Sequence, residues 1–169
     1  MAKAVFIIAQ NEFRDEEFLK PKEFLNDRQI ETLIAAPKKE TAWGKLGTKV
    51  EPDLAWQDVS EEDFDVIFFV GGPGIKEYAD DPVVLNLARN FDKAGKIVAA
   101  ICSAPTLLAN AGILIGKKVT AFPSEEENIV NKGAEYTGMP VEVDGNIITG
   151  KDHNSALDLA SKIAWQLGE

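Results

Sequence analysis

The chain's one cysteine, Cys102, stands where a reactive thiol has a purpose. It follows a five-residue apolar run, Ile97–Ile101 (IVAAI), and leads into Ser103-Ala104-Pro105. An apolar run without alternation suits a strand covered on both faces. Proline suits the first turn of a helix, where its missing N–H costs nothing. A nucleophile at a sharp strand-to-helix turn projects above the sheet, and the amides behind it can hold an oxyanion. The positive end of the helix is expected to lower the thiol's pKa. A second apolar run, Val66–Val70 (VIFFV), stops at Gly71-Gly72-Pro73-Gly74. Gly71 and Gly72 would let backbone amides approach a bound oxygen with no side chain in the way. Blander readings stand beside these. A lone cysteine after a buried strand also serves as a small hydrophobe, and Gly-Gly-Pro-Gly is ordinary turn punctuation. The glycine run lacks the spacing of a dinucleotide loop or a P-loop, and no cofactor is expected.

The elements that must position these residues follow from periodicity. Lys3–Ala9 reads as a buried strand. Phe18, Pro21, Phe24 and Leu25 share the face of a helix that Pro21 can kink. Thr32–Ala36 is the next strand, and Ala42–Val59, rich in Gly, Pro and Trp, is a short hairpin or excursion. Pro82–Ala94 is a helix whose apolar face is Val84, Leu87, Ala88 and Phe91. A helix from about Ala104 ends near Gly112. Lys118–Ala121 is a short strand. Ser124 with Glu127 predicts a capping box and a helix start. Val141–Val143 and Ile147–Thr149, joined by Asp144-Gly145-Asn146, form a hairpin. Leu157, Ala160, Ile163, Ala164 and Leu167 face the core from a last helix. Alternating strands and helices predict an α/β fold, a mostly parallel sheet with helices on both faces. Trp43, Trp56 and Trp165 could line a pocket or a dimer contact, but their default place is the core. Open sheets of this kind place their sites at the carboxyl ends of strands.

At 169 residues the chain is expected to form one domain, residues 1–169, large enough to need no staple. One cysteine excludes an intrachain disulfide. The apolar run Val5–Ala9 is too short for a secretory segment, and no run approaches the ~20 residues that span a bilayer. A cytoplasmic chain with no membrane partner is expected. Its net charge of −10 repels phosphate backbones, so nucleic acid is not an expected partner.

Several segments together resemble one family. FFVGGPG, then IVAAICSAP about 30 residues later, then GxxxGKKVTAFP, is similar to the ThiJ/PfpI family, within the class I glutamine amidotransferase-like superfamily. NEFRDEEFLKP near the start and VDGNIITGKD before the last helix match as well. The resemblance runs from about Lys3 to Leu167. It implies a flavodoxin-like three-layer sandwich and a homodimer or larger assembly. It also implies site residues. Cys102 matches the elbow nucleophile, Glu17 the glutamate that contacts the sulfur, and Gly72 and Ser103 the donors of the oxyanion-hole amides. Asp15 and Glu16 are then ordinary solvated charges. A carboxyl at Glu17, raised in pKa by partial burial, could donate a hydrogen bond to the sulfur and favour thiolate. Without the resemblance, Glu17 reads as a surface helix residue.

The chain departs from the family at its histidines. PfpI-type proteases carry histidine immediately after the cysteine, where this chain has Ser103. Deglycase-like members often carry one before the proline of the TxxP segment, where this chain has Phe122. The only histidine, His153, lies in Lys151-Asp152-His153-Asn154. It is a candidate for proton transfer, oriented by Asp152, or else an exposed loop residue with Asp152 or Asn154 capping. Cys102, Glu17 and His153 are all ligand types, but no HExxH or CxxC accompanies them, and no metal is expected. Three functions are in contention. The resemblance suggests glyoxalase- or deglycase-type chemistry on small reactive carbonyls. A redox sensor acting through oxidation of Cys102 competes with it, as does a PfpI-type cysteine peptidase, which Ser103 weakens.

Overall fold

A computed structural model describes residues 1–169. Its strands are β1 (Lys3–Ile7), β2 (Asn11–Phe13), β3 (Glu31–Ala36), β4 (Ala42–Gly44), β5 (Lys49–Val50), β6 (Leu54–Ala55), β7 (Val66–Phe69), β8 (Ile97–Ile101), β9 (Lys118–Val119), β10 (Glu135–Tyr136), β11 (Val141–Asp144) and β12 (Ile147–Gly150). Its helices are α1 (Asp15–Asp27), α2 (Pro82–Lys93), α3 (Pro105–Asn110), α4 (Glu126–Asn131) and α5 (Ala156–Gln166). Seven strands make the central sheet in the order β11-β12-β8-β7-β1-β3-β6. All neighbours are parallel except the β11–β12 hairpin.

Apolar strands dictate this layering, because their side chains alternate between two faces and both must be covered. In β1 and just beyond it, Val5, Ile7 and Ala9 enter one core with residues of α2, α3 and α4. Ala4, Phe6 and Ile8 enter the other with residues of α1 and α5. Phe6 stacks on Phe68 at 4.8 Å between ring centres and meets Phe18 edge-on at 5.8 Å. This is the expected three-layer sandwich. No helix is long and apolar enough to cross a membrane.

The chain leaves β1 toward β3 on one side, then crosses back to β7 on the other. The carboxyl ends of β1 and β7 therefore flank the point where strand order reverses, which in such sheets opens a crevice. A small sheet of β2, β4 and β5 stands beside that crevice. It contains the expected hairpin, pairing Ala42 with Val50 and Trp43 with Lys49.

Some expectations need correction. Ser124 does not cap a helix: Pro123–Glu125 is a 3-10 turn, α4 begins at Glu126, and the Ser124 hydroxyl donates to Glu125 Oε2 at 2.7 Å. Trp56 is core, with its indole N–H donating to Ala35 O at 3.1 Å. Trp165 and Trp43 are exposed, and so is Leu157, because α5 turns only one face to the sheet. Asp15 is not solvated but buried. Its carboxylate accepts from the Leu46 and Thr48 amides at 2.8 and 2.9 Å and ties the β4–β5 turn to α1. Glu16 is half-buried in a two-bond pair with Arg14, at 2.9 and 3.0 Å.

Candidate active site

Three strand ends meet at the crevice. β8 leads directly into Cys102, whose φ of 63° is the left-handed conformation that a residue other than glycine adopts at a cost. Bonds on both sides hold it there. Cys102 N donates to Gly150 O at 2.9 Å, and Phe122 N donates to Cys102 O at 2.8 Å. α3 begins at Pro105, as the sequence predicts.

β7 ends at Phe69, and after Val70 the Gly71-Gly72 pair packs against the cysteine. A Cβ at Gly71 would lie 2.5 Å from Glu17 Oε1, 2.5 Å from Ile101 O and 2.8 Å from Cys102 Cβ. Only glycine leaves room for the carboxyl, the strand end and the thiol to meet. Gly72 has φ 112°, and its amide, like that of Ser103, lowers the pKa of the Cys102 thiol by hydrogen bonding to it. The Ser103 hydroxyl is engaged as well: it accepts from Gly72 N at 3.2 Å and donates to Gly72 O at 2.9 Å.

The loop after β1 brings in α1, whose first turn turns Glu17 inward. Glu17 is 1% exposed, so its surface reading is excluded. Neither of its oxygens has a hydrogen-bond partner of ordinary geometry. Burial pushes its carboxyl up to about 7, against the pull of the Cys102 thiol and the Arg14 guanidinium. Burial also pushes the thiol up, to about 12, and the Glu17 charge adds to that. Burial and the facing carboxylate thus oppose the lowering expected of the helix end. α3 has only six residues, and desolvation together with the facing carboxylate outweighs the two amides.

Cys102, Glu17, Gly72, Ser103 and His153 all line one cleft of about 380 Å³. His153 reaches it from the 3-10 turn after β12. Asp152 does not orient the imidazole. Its carboxylate caps the turn by accepting from Asn154 N at 2.9 Å. No hydrogen bond holds the His153 ring. The structure adds Arg14, Lys45 and Glu125 to the cleft wall. Glu125 is 3% exposed and accepts from Lys76 Nζ and Thr106 Oγ1, each at 2.9 Å. It thus joins the segment after Gly72, the helix after Cys102 and the wall after Phe122. Nothing local in the sequence marks Glu125 or Arg14. Gly44, packed against the Asp15 carboxylate, is the one trace of the buried acid that shapes the Lys45 turn.

Comparison with known proteins agrees with this architecture. A profile of the DJ-1/PfpI family matches residues 2–166. A deglycase of Pyrococcus horikoshii is 34% identical over 88% of this chain and 89% of its own length. A glutathione-independent glyoxalase of Caenorhabditis elegans is 31% identical over 82% and 74%. The crystal structure of a ThiJ/PfpI domain protein from Brachyspira murdochii superposes with a TM-score of 0.96 at 31% identity, covering 98% of this chain and 96% of that one. With nearly its whole length matched in sequence and in backbone, the chain belongs to the DJ-1/PfpI family.

Proposed function

We propose that this chain is a cysteine-dependent enzyme of the glyoxalase or deglycase type, acting without cofactor on small α-oxoaldehydes such as methylglyoxal. One observation carries the reading. A strained cysteine faces a buried, unpartnered carboxyl near pKa 7, with the Gly72 and Ser103 amides beside the sulfur. A carboxyl so tuned is a general base at neutral pH. As Cys102 Sγ bonds to the aldehyde carbon, its proton passes to Glu17, and no free thiolate need exist beforehand. The Gly72 and Ser103 amides receive the oxyanion. Glu17 returns the proton to that oxygen, giving a hemithioacetal, then removes the proton on the same carbon to give an enediolate. The hydroxyl proton passes to the neighbouring oxygen, and Glu17 delivers its proton to the neighbouring carbon, leaving a thioester carbonyl and a new hydroxyl. The resulting thioester is hydrolysed by water, and Cys102 leaves as the thiol. The sum is methylglyoxal plus water to lactate, with no external oxidant or reductant. His153 is the group we assign to the water step.

The names of the Pyrococcus and Caenorhabditis relatives support this class of reaction. We also read residues 1–169 as one domain acting as a homodimer or larger assembly in the cytoplasm. The sensor reading needs a readily ionised thiol, and the burial that raises Cys102 weighs against it. The peptidase reading loses its histidine to a serine already bonded to Gly72. The test is lactate formation from methylglyoxal in the absence of glutathione. Wild type should produce it, and Cys102→Ser and Glu17→Gln should lose at least ~100-fold. Equal lactate from wild type and Cys102→Ser would sink the proposal.

A further inference from the structure

Ser103 does more in this fold than lend a backbone amide. The residue is 6% exposed, and its one side-chain oxygen makes two bonds to the same neighbour. It accepts from Gly72 N at 3.2 Å and donates to Gly72 O at 2.9 Å. Those two atoms belong to the two peptides on either side of Gly72. The far side of the Gly71–Gly72 peptide is held separately, by Arg14 N donating to Gly71 O at 2.9 Å. A glycine pair can rotate such a peptide at little steric expense, so the direction of the Gly72 N–H depends on what holds it.

We propose that the Ser103 hydroxyl is a positioning residue that clamps both peptides of Gly72 and keeps the Gly72 N–H aimed at the oxyanion formed on Cys102. The inference rests on the reaction proposed above. Ser103 adjoins Cys102 in the chain, so the clamp ties the oxyanion donor to the nucleophile through a single residue step. When the oxyanion forms, Gly72 N–H can pass from the hydroxyl to it. The hydroxyl keeps its bond to Gly72 O on one peptide, and Arg14 N keeps its bond to Gly71 O on the other, so Gly72 stays held on both sides. Only a hydroxyl both donates and accepts through one atom. An imidazole nitrogen does one or the other, so the histidine of PfpI-type proteases at this place could not make the same clamp. On this view Ser103 is not a lost catalytic histidine but a different device in its place.

The experiment compares wild type, Ser103→Ala and Ser103→Thr, which retains the hydroxyl. Three readouts are taken: kcat and KM for methylglyoxal, the rate of Cys102 alkylation by iodoacetamide at pH 7 to 9, and urea stability. Loss of a positioned oxyanion donor predicts a kcat lower by about ten- to hundred-fold in Ser103→Ala, with KM within about twofold. Alkylation should slow several-fold because the amide no longer favours the anionic sulfur. Ser103→Thr should recover most of both. Wild-type kcat and alkylation in folded Ser103→Ala overturn the inference, as does a loss that follows urea stability alone. If wild type turns over no small aldehyde, the reaction reading fails, and alkylation alone decides the clamp: slower in Ser103→Ala supports it, equal rates overturn it.

Discussion

Replacing Glu17 by Gln should make the protein more stable, and the gain should depend on pH in a calculable way. The carboxyl rises from an ordinary 4.5 to about 7 on folding, burial being the main cause. Between those values the folded state holds a proton that the unfolded state has released. Stability therefore falls as pH rises through this window and is level above it. At about 1.36 kcal/mol per pH unit, ionised Glu17 costs ~3 kcal/mol of folding free energy. At 1% exposure little solvent screens that cost. Glutamine has nearly the same shape and never ionises. Urea unfolding of both proteins at pH 4.5, 6, 7 and 8 should give equal stabilities at the acid end. At pH 8 the variant should lead by ~3 kcal/mol. Titrating groups that do not interact with Glu17 are common to both proteins and cancel in the difference. The same substitution should remove a rise in Cys102 alkylation centred near pH 7, since Glu17 is the group that accepts the thiol proton there. A constant stability difference from pH 4.5 to 8, or a variant less stable at pH 8, would refute the reasoning.

Other perturbations test the remaining parts. Asp15→Ala should lose ~1–3 kcal/mol in urea at pH 7, because two part-buried backbone donors lose a charged acceptor. Burial raises the Asp15 carboxyl, but the hydrogen bonds from Thr48 and Leu46 outweigh that and hold it below 3.8. This contribution is present above the unfolded pKa and fades as pH falls through the folded one, so the variant should show a shallower acid transition. Gly71→Ala should cut lactate formation at least ~100-fold and cost ~1–3 kcal/mol, since Ile101 O is backbone and cannot yield to the new methyl. His153→Gln should slow steady-state turnover ~100-fold while sparing the first alkylation of Cys102. Unchanged turnover would remove His153 from the reaction.

The three buried strands were legible because each is a short apolar run closed by a turn signal. The elbow was legible because Ile97–Ile101 leads directly to Cys102 and a helix-starting proline. Periodicity also found α2 and the final hairpin nearly to the residue. It failed where an exposed face and a buried face carry the same residue types. Trp165 and Leu157 are apolar yet exposed, since no other element of this chain covers that side of α5. The acidic run Asp15-Glu16-Glu17 shows the same limit in charged residues. Three adjacent carboxylates have three fates: one anchors a turn, one pairs with Arg14, and one enters the cleft. Family resemblance separated Glu17 from its neighbours, but local pattern could not, because helix phase and the position of a hairpin 30 residues away set those fates.

By itself the sequence determined the layers, the strand ends and the nucleophile's place, since these follow from local hydrophobic period, glycine and proline. Only the tertiary structure decided the state of the site. The pKa of Glu17, the raised thiol, the buried Asp15 and Glu125 and the Ser103 clamp all depend on segments distant in sequence that exclude water from one another. Desolvation belongs to the assembled fold, not to any stretch of chain.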